Sequence, residues 1–197
     1  MTDLEQKDMF GDHKYDLDVV EVSLDGSTYP TNPGAGGIGL VFRFRKDEFL
    51  HIKTISRSIP RWVELTGDLL KLAKTNKTKK PQDRDGKQCM ETTNNRCEIL
   101  AMMEAMNRVK DPSKTHLIIH ADSQWAINMT NGLWKAKENK ELVMRSRKMA
   151  EKFAVLDIKW IRGHAGDRFN EWCDELAYSA ARNQPRVPVV EYIKEGI

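Results

Sequence analysis

Along the chain the period of the apolar positions changes repeatedly, and each change marks a predicted element. "LDVVEVSL" (17–24) is β-branched and alternates imperfectly, as expected of a strand. "DGSTYPTNPGAGGIG" follows, so dense in Gly, Pro and Asn that it predicts a turn or loop. "GLVFRFR" and "FLHIKTISRS" predict two more strands, and the short "KDE" between them implies an antiparallel meander. Residues 60–90 break the rhythm with one amphipathic piece, "WVELTGDLLKLAK", and then a Lys-rich polar run. From 94 to 109, Ile99, Leu100, Met103, Met106 and Val109 recur at helical spacing. "THLIIHA" predicts a short apolar strand, and "SQWAINMTNG" a helix ended by Gly132. "ENKELVMRSRKMAEKF" predicts another helix, "LDIKWIRG" a strand, and "DRFNEWCDELAYSAARN" a last helix burying Phe169, Trp172, Cys173, Leu176 and Ala180. Trp125, Trp160 and Trp172 fall inside patterned elements and are expected in the core. "QPRVPVVEYIKEGI" has two prolines and no helical pattern. Three antiparallel strands feeding strand–helix units predict an α/β fold, a mixed sheet with helices packed on it.

The length of 197 residues suits one domain with a sizeable core. We expect tails at 1–16 and 184–197, and a domain over 17–183 with an insertion at 60–90. No apolar run approaches a membrane span. The acidic N-terminus lacks the apolar centre of a secretory signal, so no membrane and a cytoplasmic location are expected. Cys89, Cys97 and Cys173 form no CxxC pair, which argues against a disulfide scaffold and against zinc. The net charge of +3 is too mild to establish a nucleic-acid partner, but it is unevenly spread. Residues 61–87 hold eight basic and four acidic residues, a net +4 that leaves the rest of the chain near neutral.

Four acids stand at predicted element ends or on helices beside the sheet. Asp25 ends the first strand, Glu98 lies in about the first turn of its helix, Asp122 follows the fourth strand, and Asp174 lies on the last helix. If the first and fourth strands are parallel neighbours, Asp25 and Asp122 emerge side by side. Carboxylates sharing a site need a cation to offset their repulsion, and their oxygens suit Mg²⁺ or Mn²⁺. Taken singly, Glu98 reads more readily as a favourable first-turn acid and Asp25 as a turn residue before Gly26.

The words around the acids narrow the choice. "DGSTYPTNPGAGGIG", "TTNNRCEILAMMEA", "HADSQW" and "KWIRGHAGDRFNEWCDELA" occur in this order and together resemble type 1 ribonuclease H, from about residue 18 to 183 apart from 60–90. The resemblance implies a ribonuclease H-like fold, a five-stranded mixed sheet with flanking helices. It implies cleavage of the RNA strand of RNA–DNA hybrids by two Mg²⁺ (or Mn²⁺) ions, leaving 5′-phosphate and 3′-hydroxyl ends. It places the metal-binding and catalytic acids at Asp25, Glu98, Asp122 and Asp174, and a catalytic histidine, assisting proton transfer or product release, at His164. Substrate-facing positions match Asn32, Thr93, Asn94, Asn95 and Gln124, whose side chains can read 2′-hydroxyls. Turn and helix-cap duty is their alternative reading. Trp134 reads either as lining the DNA-strand groove or as a packing tryptophan. A monomer is expected.

Two departures stand out. Loop 25–32 is about one residue longer than the usual spacing, and "TNGLWKAKENKEL" lacks the basic helical protrusion that many members carry. The 60–90 insertion reads in two ways. Either Trp62, Val63, Leu69, Leu70 and Leu72 dock a short helix so that "KLAKTNKTKK" reaches phosphates, or the run is a solvated Lys-rich loop. A non-catalytic binder on the same fold, or a domain of a larger polymerase polyprotein, are the competing readings. The initial Met favours a stand-alone protein.

Overall fold

The computed structural model describes residues 18–46 and 48–194, so the expected tail 1–16 lies outside the described residues. In chain order the elements are β1 (Asp18–Tyr29), β2 (Ala35–Lys46), β3 (Phe49–Ile59), β4 (Trp62–Glu64), α1 (Gly67–Lys74), β5 (Gln82–Arg84), β6 (Lys87–Glu91) and α2 (Asn94–Asn107). A short 3₁₀ turn then leads into β7 (Thr115–Ala121), α3 (Gln124–Thr130), α4 (Lys140–Ala150), β8 (Val155–Trp160), α5 (Arg168–Ala181) and β9 (Val190–Lys194). The main sheet has the order β8-β7-β1-β2-β3-β9. β1, β2 and β3 form the expected antiparallel meander, while β7 joins β1, and β8 joins β7, in parallel.

Alternation along β1 and β2 sorts the two faces of the sheet. Val22, Leu24, Ile38, Leu40 and Phe42 join Leu117 and Ile119 of β7 under the apolar side of α2, with Ile99, Met102 and Met106. On the other face Val41 and Ile52 pack against Cys173 and Leu176 of α5. α4 lies outside α2 and adds Leu142 and Val143 to the larger core.

Four expectations change. The Gly-rich stretch is mostly strand: β1 continues past Asp25 to Tyr29, and Asp25 pairs with Gly39. Two of its glycines serve close approach rather than turning. A Cβ on Gly26 would fall 2.4 Å from the Glu98 nitrogen, and one on Gly39 2.1 Å from the Cys173 carbonyl. Second, the sheet has six strands rather than five, because β9 pairs with β3 at the edge. All five β9 residues are exposed, so no apolar alternation marked the strand, and Pro185 and Pro188 just before it are compatible only with an edge. Third, the insertion forms its own three-stranded sheet, β4-β6-β5, which with α1 encloses Leu65, Ala73 and Met90. Fourth, Trp160 is 51% exposed rather than core, because β8 is the outer strand beyond β7 and Trp160 is its last residue. Trp125 and Trp172 do pack against the two cores.

The close approach at Gly26 yields a stability prediction. Gly26→Ala forces a methyl group into the α2 backbone, which cannot yield as a flexible side chain would. Overpacking of this kind costs about 3 kcal/mol or more. A domain of this size loses about 2–4 °C per kcal/mol, so thermal unfolding should shift down by about 6–12 °C. An unchanged Tm would mean that β1 and α2 are farther apart than described.

Candidate active site

The parallel register of β1 and β7 decides where the first two acids go. The last pair is Ser23 with His120, so two further residues along each strand bring Asp25 and Asp122 level. Asp122 stands just past the end of β7, where the sheet opens, while Asp25 is still held in the hairpin opposite Gly39. Gly39 in turn touches the carbonyl of Cys173, which places Asp174, the next residue of α5, on the Asp25 side of the sheet. Gly26 touches the Glu98 nitrogen from the opposite face.

Glu98 sits in the second turn of α2, not among the first-turn acids, so a role confined to the helix dipole is excluded. Its two carboxylate oxygens are separately tied: Asn94 Nδ2 donates to Oε1 at 3.0 Å and Ser123 Oγ to Oε2 at 2.5 Å. Ser123 also caps α3, accepting from the Ala126 N–H at 3.2 Å. One serine thus fixes both the start of α3 beside Asp122 and the rotamer of Glu98.

The electrostatics show that the four acids share one space. Burial pushes the Asp25 carboxyl well above its ordinary range, and the fields of Asp122, Asp174 and Glu98 add to the effect against the Gly26 N–H. Glu98 is raised in the same direction by burial and by Asp122, against the hydrogen bonds from Ser123 and Asn94. Among the described residues none of the four acids forms an ion pair. Among the described residues no three His, Cys, Asp or Glu side chains are drawn together tightly enough to form a closed metal cage.

The remaining predicted residues fall into two sets. Asn32 Oδ1 accepts from the Asn94 N–H at 3.1 Å, and Thr93 caps α2 by accepting from the Arg96 N–H at 3.4 Å. Asn32, Thr93 and Asn94 therefore act structurally at the α2 N-terminus, as the helix-cap reading allowed. Asn95, Gln124 and Trp134 are exposed, and Asn95 and Trp134 line one groove. Trp134 is 46% exposed. His164 lies in the β8–α5 loop in a left-handed conformation, φ 51°. Its neighbour Gly163 abuts the Asp122 carboxylate.

Comparison with known proteins fits this arrangement. The RNase H family model matches residues 71–182, more than half of the chain, spanning Glu98, Asp122, His164 and Asp174. The ribonuclease H of Mannheimia succiniciproducens is 34% identical over 176 residues, covering 83% of this chain and 88% of the relative. The chain belongs to the RNase H family. It is by class a ribonuclease H hydrolase, and the ribonuclease H resemblance read from its motifs holds. Ribonuclease HI of Haemophilus influenzae is 31% identical, covering 89% of this chain and 97% of its own. Among solved structures, LC9-RNase H1, a type 1 RNase H with the type 2 active-site motif, superposes with a TM-score of 0.60 at 20% identity, covering 91% of this chain and 79% of its own. LC11-RNase H1, solved in complex with RNA/DNA hybrid, gives 0.55 at 20% identity, covering 83% and 97%. These two likenesses concern the RNase H fold. Among the described residues, no helix is long and apolar enough to cross a membrane.

Ser123 was not foreseen as part of the RNase H site, although its place directly after Asp122 at a helix start was a legible N-cap signal. The buried pair of Arg96 on α2 with Glu141 on α4 was not foreseen either, because neither residue carries a sequence mark of burial.

Proposed function

We propose that the chain hydrolyses the RNA strand of RNA–DNA hybrids, with Asp25, Glu98, Asp122 and Asp174 as its working carboxylates. The observation that carries this reading is the shared field at Asp25, where Glu98 of α2, Asp174 of α5 and Asp122 just past β7 act on an already desolvated carboxyl. An all-oxygen donor set with unbalanced negative charge fits Mg²⁺ or Mn²⁺. Asp25, Glu98, Asp122 and Asp174 are the residues that would hold such ions. When bound, two such ions supply an activated water and neutralise the leaving oxygen, which leaves 5′-phosphate and 3′-hydroxyl ends.

The protein's own residues set the geometry. Asn94 and Ser123 orient Glu98, and the hairpin holds Asp25. Asn95 and Gln124, exposed on first turns of α2 and α3, present amides able both to donate to and accept from 2′-hydroxyls. His164, exposed beside Gly163, moves a proton at the departing product.

The test is cleavage of an end-labelled RNA–DNA hybrid in Mg²⁺ and in EDTA, beside duplex DNA of the same sequence. Cleavage confined to the RNA strand, lost in EDTA and at least about 100-fold weaker on DNA is expected. Equal cutting of DNA would point to a general nuclease. Binding of hybrid without cutting would favour the non-catalytic reading.

A further inference from the structure

The 60–91 insertion is attached firmly to the body. The stretch just after α1 docks on the segment 137–140 that leads into α4. The Lys77 N–H donates to the Lys137 carbonyl at 3.2 Å. The Glu138 carboxylate accepts from the Thr78 N–H at 2.8 Å, the Thr78 hydroxyl at 2.7 Å and the Lys79 N–H at 3.1 Å. Asn76, fully buried, accepts from the Lys140 N–H at 3.2 Å. A mobile, Lys-rich loop does not make such contacts, so the backbone that carries these lysines has a defined place.

That order also sorts the lysines. Lys71 pairs with Asp68, and Lys80 folds back on the carbonyls of Lys74 and Asn76 at the end of α1. Lys77 and Lys79 are exposed, as are Lys135 and Lys137 on the segment they dock against. Among the described residues none of these four has a carboxylate within ion-pair distance. Lys135 and Lys137 line a groove of about 510 Å³ with Asn95, Trp125, Leu133 and Trp134. Leu133 is 71% and Trp134 46% exposed, an apolar floor open to solvent. The groove begins at Asn95, one turn from Glu98 on the same helix.

We propose that the insertion and the 133–138 segment form one surface for a nucleic-acid backbone, on which Lys77 and Lys79 join Lys135 and Lys137 in holding the phosphates of the strand that runs from the carboxylate site along this groove. The proposal rests on the hydrolase reading above and adds to it where the substrate lies. Fixed cations beside exposed aromatic and aliphatic faces are what a strand of phosphates and bases requires. Glu138, the acid in the groove, serves as the latch that holds the insertion in place. Its oxygens are turned to Thr78 and Lys79.

The test reads equilibrium binding and turnover separately. Anisotropy of a fluorescein-labelled RNA–DNA hybrid is titrated in EDTA, which prevents cutting, across a KCl series. Lys77→Gln/Lys79→Gln should raise Kd about three- to tenfold at 0.1 M KCl and flatten the salt slope by about 0.9 for each phosphate no longer neutralised. In Mg²⁺ the same variant should raise KM and leave kcat within about twofold. Lys110→Gln/Lys114→Gln, an equal reduction of charge at the far end of α2, should change neither Kd nor slope. Glu138→Gln separates latch from repelling charge: a latch predicts weaker binding despite the lost negative charge, a repelling charge predicts tighter binding. An unchanged Kd and slope for the Lys77/Lys79 variant, an equal effect from the Lys110/Lys114 control, or tighter binding by Glu138→Gln would each overturn the proposal. Failure of the wild type to cut hybrid in Mg²⁺ would instead overturn the hydrolase reading, which the EDTA titration does not use.

Discussion

Asp25→Asn is expected to give a protein that folds, melts above the wild type at neutral pH, and cuts hybrid at least about a thousandfold more slowly, a loss of about 4 kcal/mol of transition-state stabilisation. The two effects have one cause. Burial and the fields of Asp122, Asp174 and Glu98 raise the Asp25 carboxyl, which means that the fold disfavours its ionised form. A raised native pKa makes the native state bind the proton more tightly than the unfolded chain does. The contribution of Asp25 to stability is therefore most favourable at low pH. It falls as pH rises from the ordinary carboxylate value through the raised one, and the full penalty persists above that. Asparagine carries no charge, so the variant escapes the penalty. The Tm difference should be largest at pH 7 and should shrink as pH falls through the raised value toward the ordinary carboxylate range. Asp122→Asn should lower activity equally and stabilise by lifting its field from Asp25, since Asp122 is the largest of the charges acting on Asp25. Millimolar Mg²⁺ should raise the wild-type Tm and raise that of Asp25→Asn less. Calorimetry at pH 4 and pH 7, with and without Mg²⁺, beside a hybrid-cleavage assay, checks all of this. Turnover within tenfold of wild type, or a variant that melts lower at pH 7, would remove Asp25 from the carboxylate cluster.

That cluster was legible because the pattern of strands had a topological consequence. Once "LDVVEVSL" and "THLIIHA" are parallel neighbours, Asp25 and Asp122 must emerge together, and the register of Ser23 with His120 is the structural form of that statement. Glu98 was legible as an acid but not as an oriented one. Its hydrogen bonds to Asn94 and Ser123 depend on the approach of α2 to α3, which no local spacing encodes. The Gly-rich stretch misled because glycine allows both turning and close approach. Gly26 and Gly39 are used for the second, so β1 runs on where a loop was expected. β9 and the β4-β6-β5 sheet escaped notice because binary patterning reports burial. All five residues of β9 are exposed, and β5 has three exposed residues in a row. Trp160 shows the converse error. It sits in an apolar strand pattern, yet at the last position of the outer strand its ring faces solvent while its indole N–H donates to the Asp122 carbonyl at 3.0 Å. Hydrophobic character alone does not distinguish a core tryptophan from one that braces the backbone of an acid.

The other large effect is expected away from the carboxylates, at the join of α2 and α4. Arg96 is 2% and Glu141 0% exposed, and they form an ion pair. Arg96 also donates to Asn139 Oδ1 at 3.1 Å, which ties it to the residue just before α4. Arg96 lies in the first turn of α2, between Asn95 and Cys97, so the pair positions the turn that carries Asn94 and leads into Glu98. Arg96→Met removes the partner and leaves the Glu141 carboxylate buried and uncompensated. Breaking a buried pair from one side costs about 3–5 kcal/mol, and at about 2–4 °C per kcal/mol the Tm should fall by about 6–20 °C. Glu141→Leu should do the same from the other side. The pair is not itself a large source of stability, because both charges have been taken out of water and Arg96 Nε and Glu141 Oε2 have no hydrogen-bond partner among the described residues. The double variant Arg96→Met/Glu141→Leu should therefore recover most of the loss and unfold within about 1 kcal/mol of wild type, giving a coupling of several kcal/mol. Its hybrid cleavage should still be impaired, since a methionine no longer fixes Asn139 and with it the start of α4. Single variants that melt like the wild type would mean that water reaches the pair. A double variant as unstable as either single would mean that the ion pair itself, rather than the avoidance of a lone buried charge, holds α2 to α4.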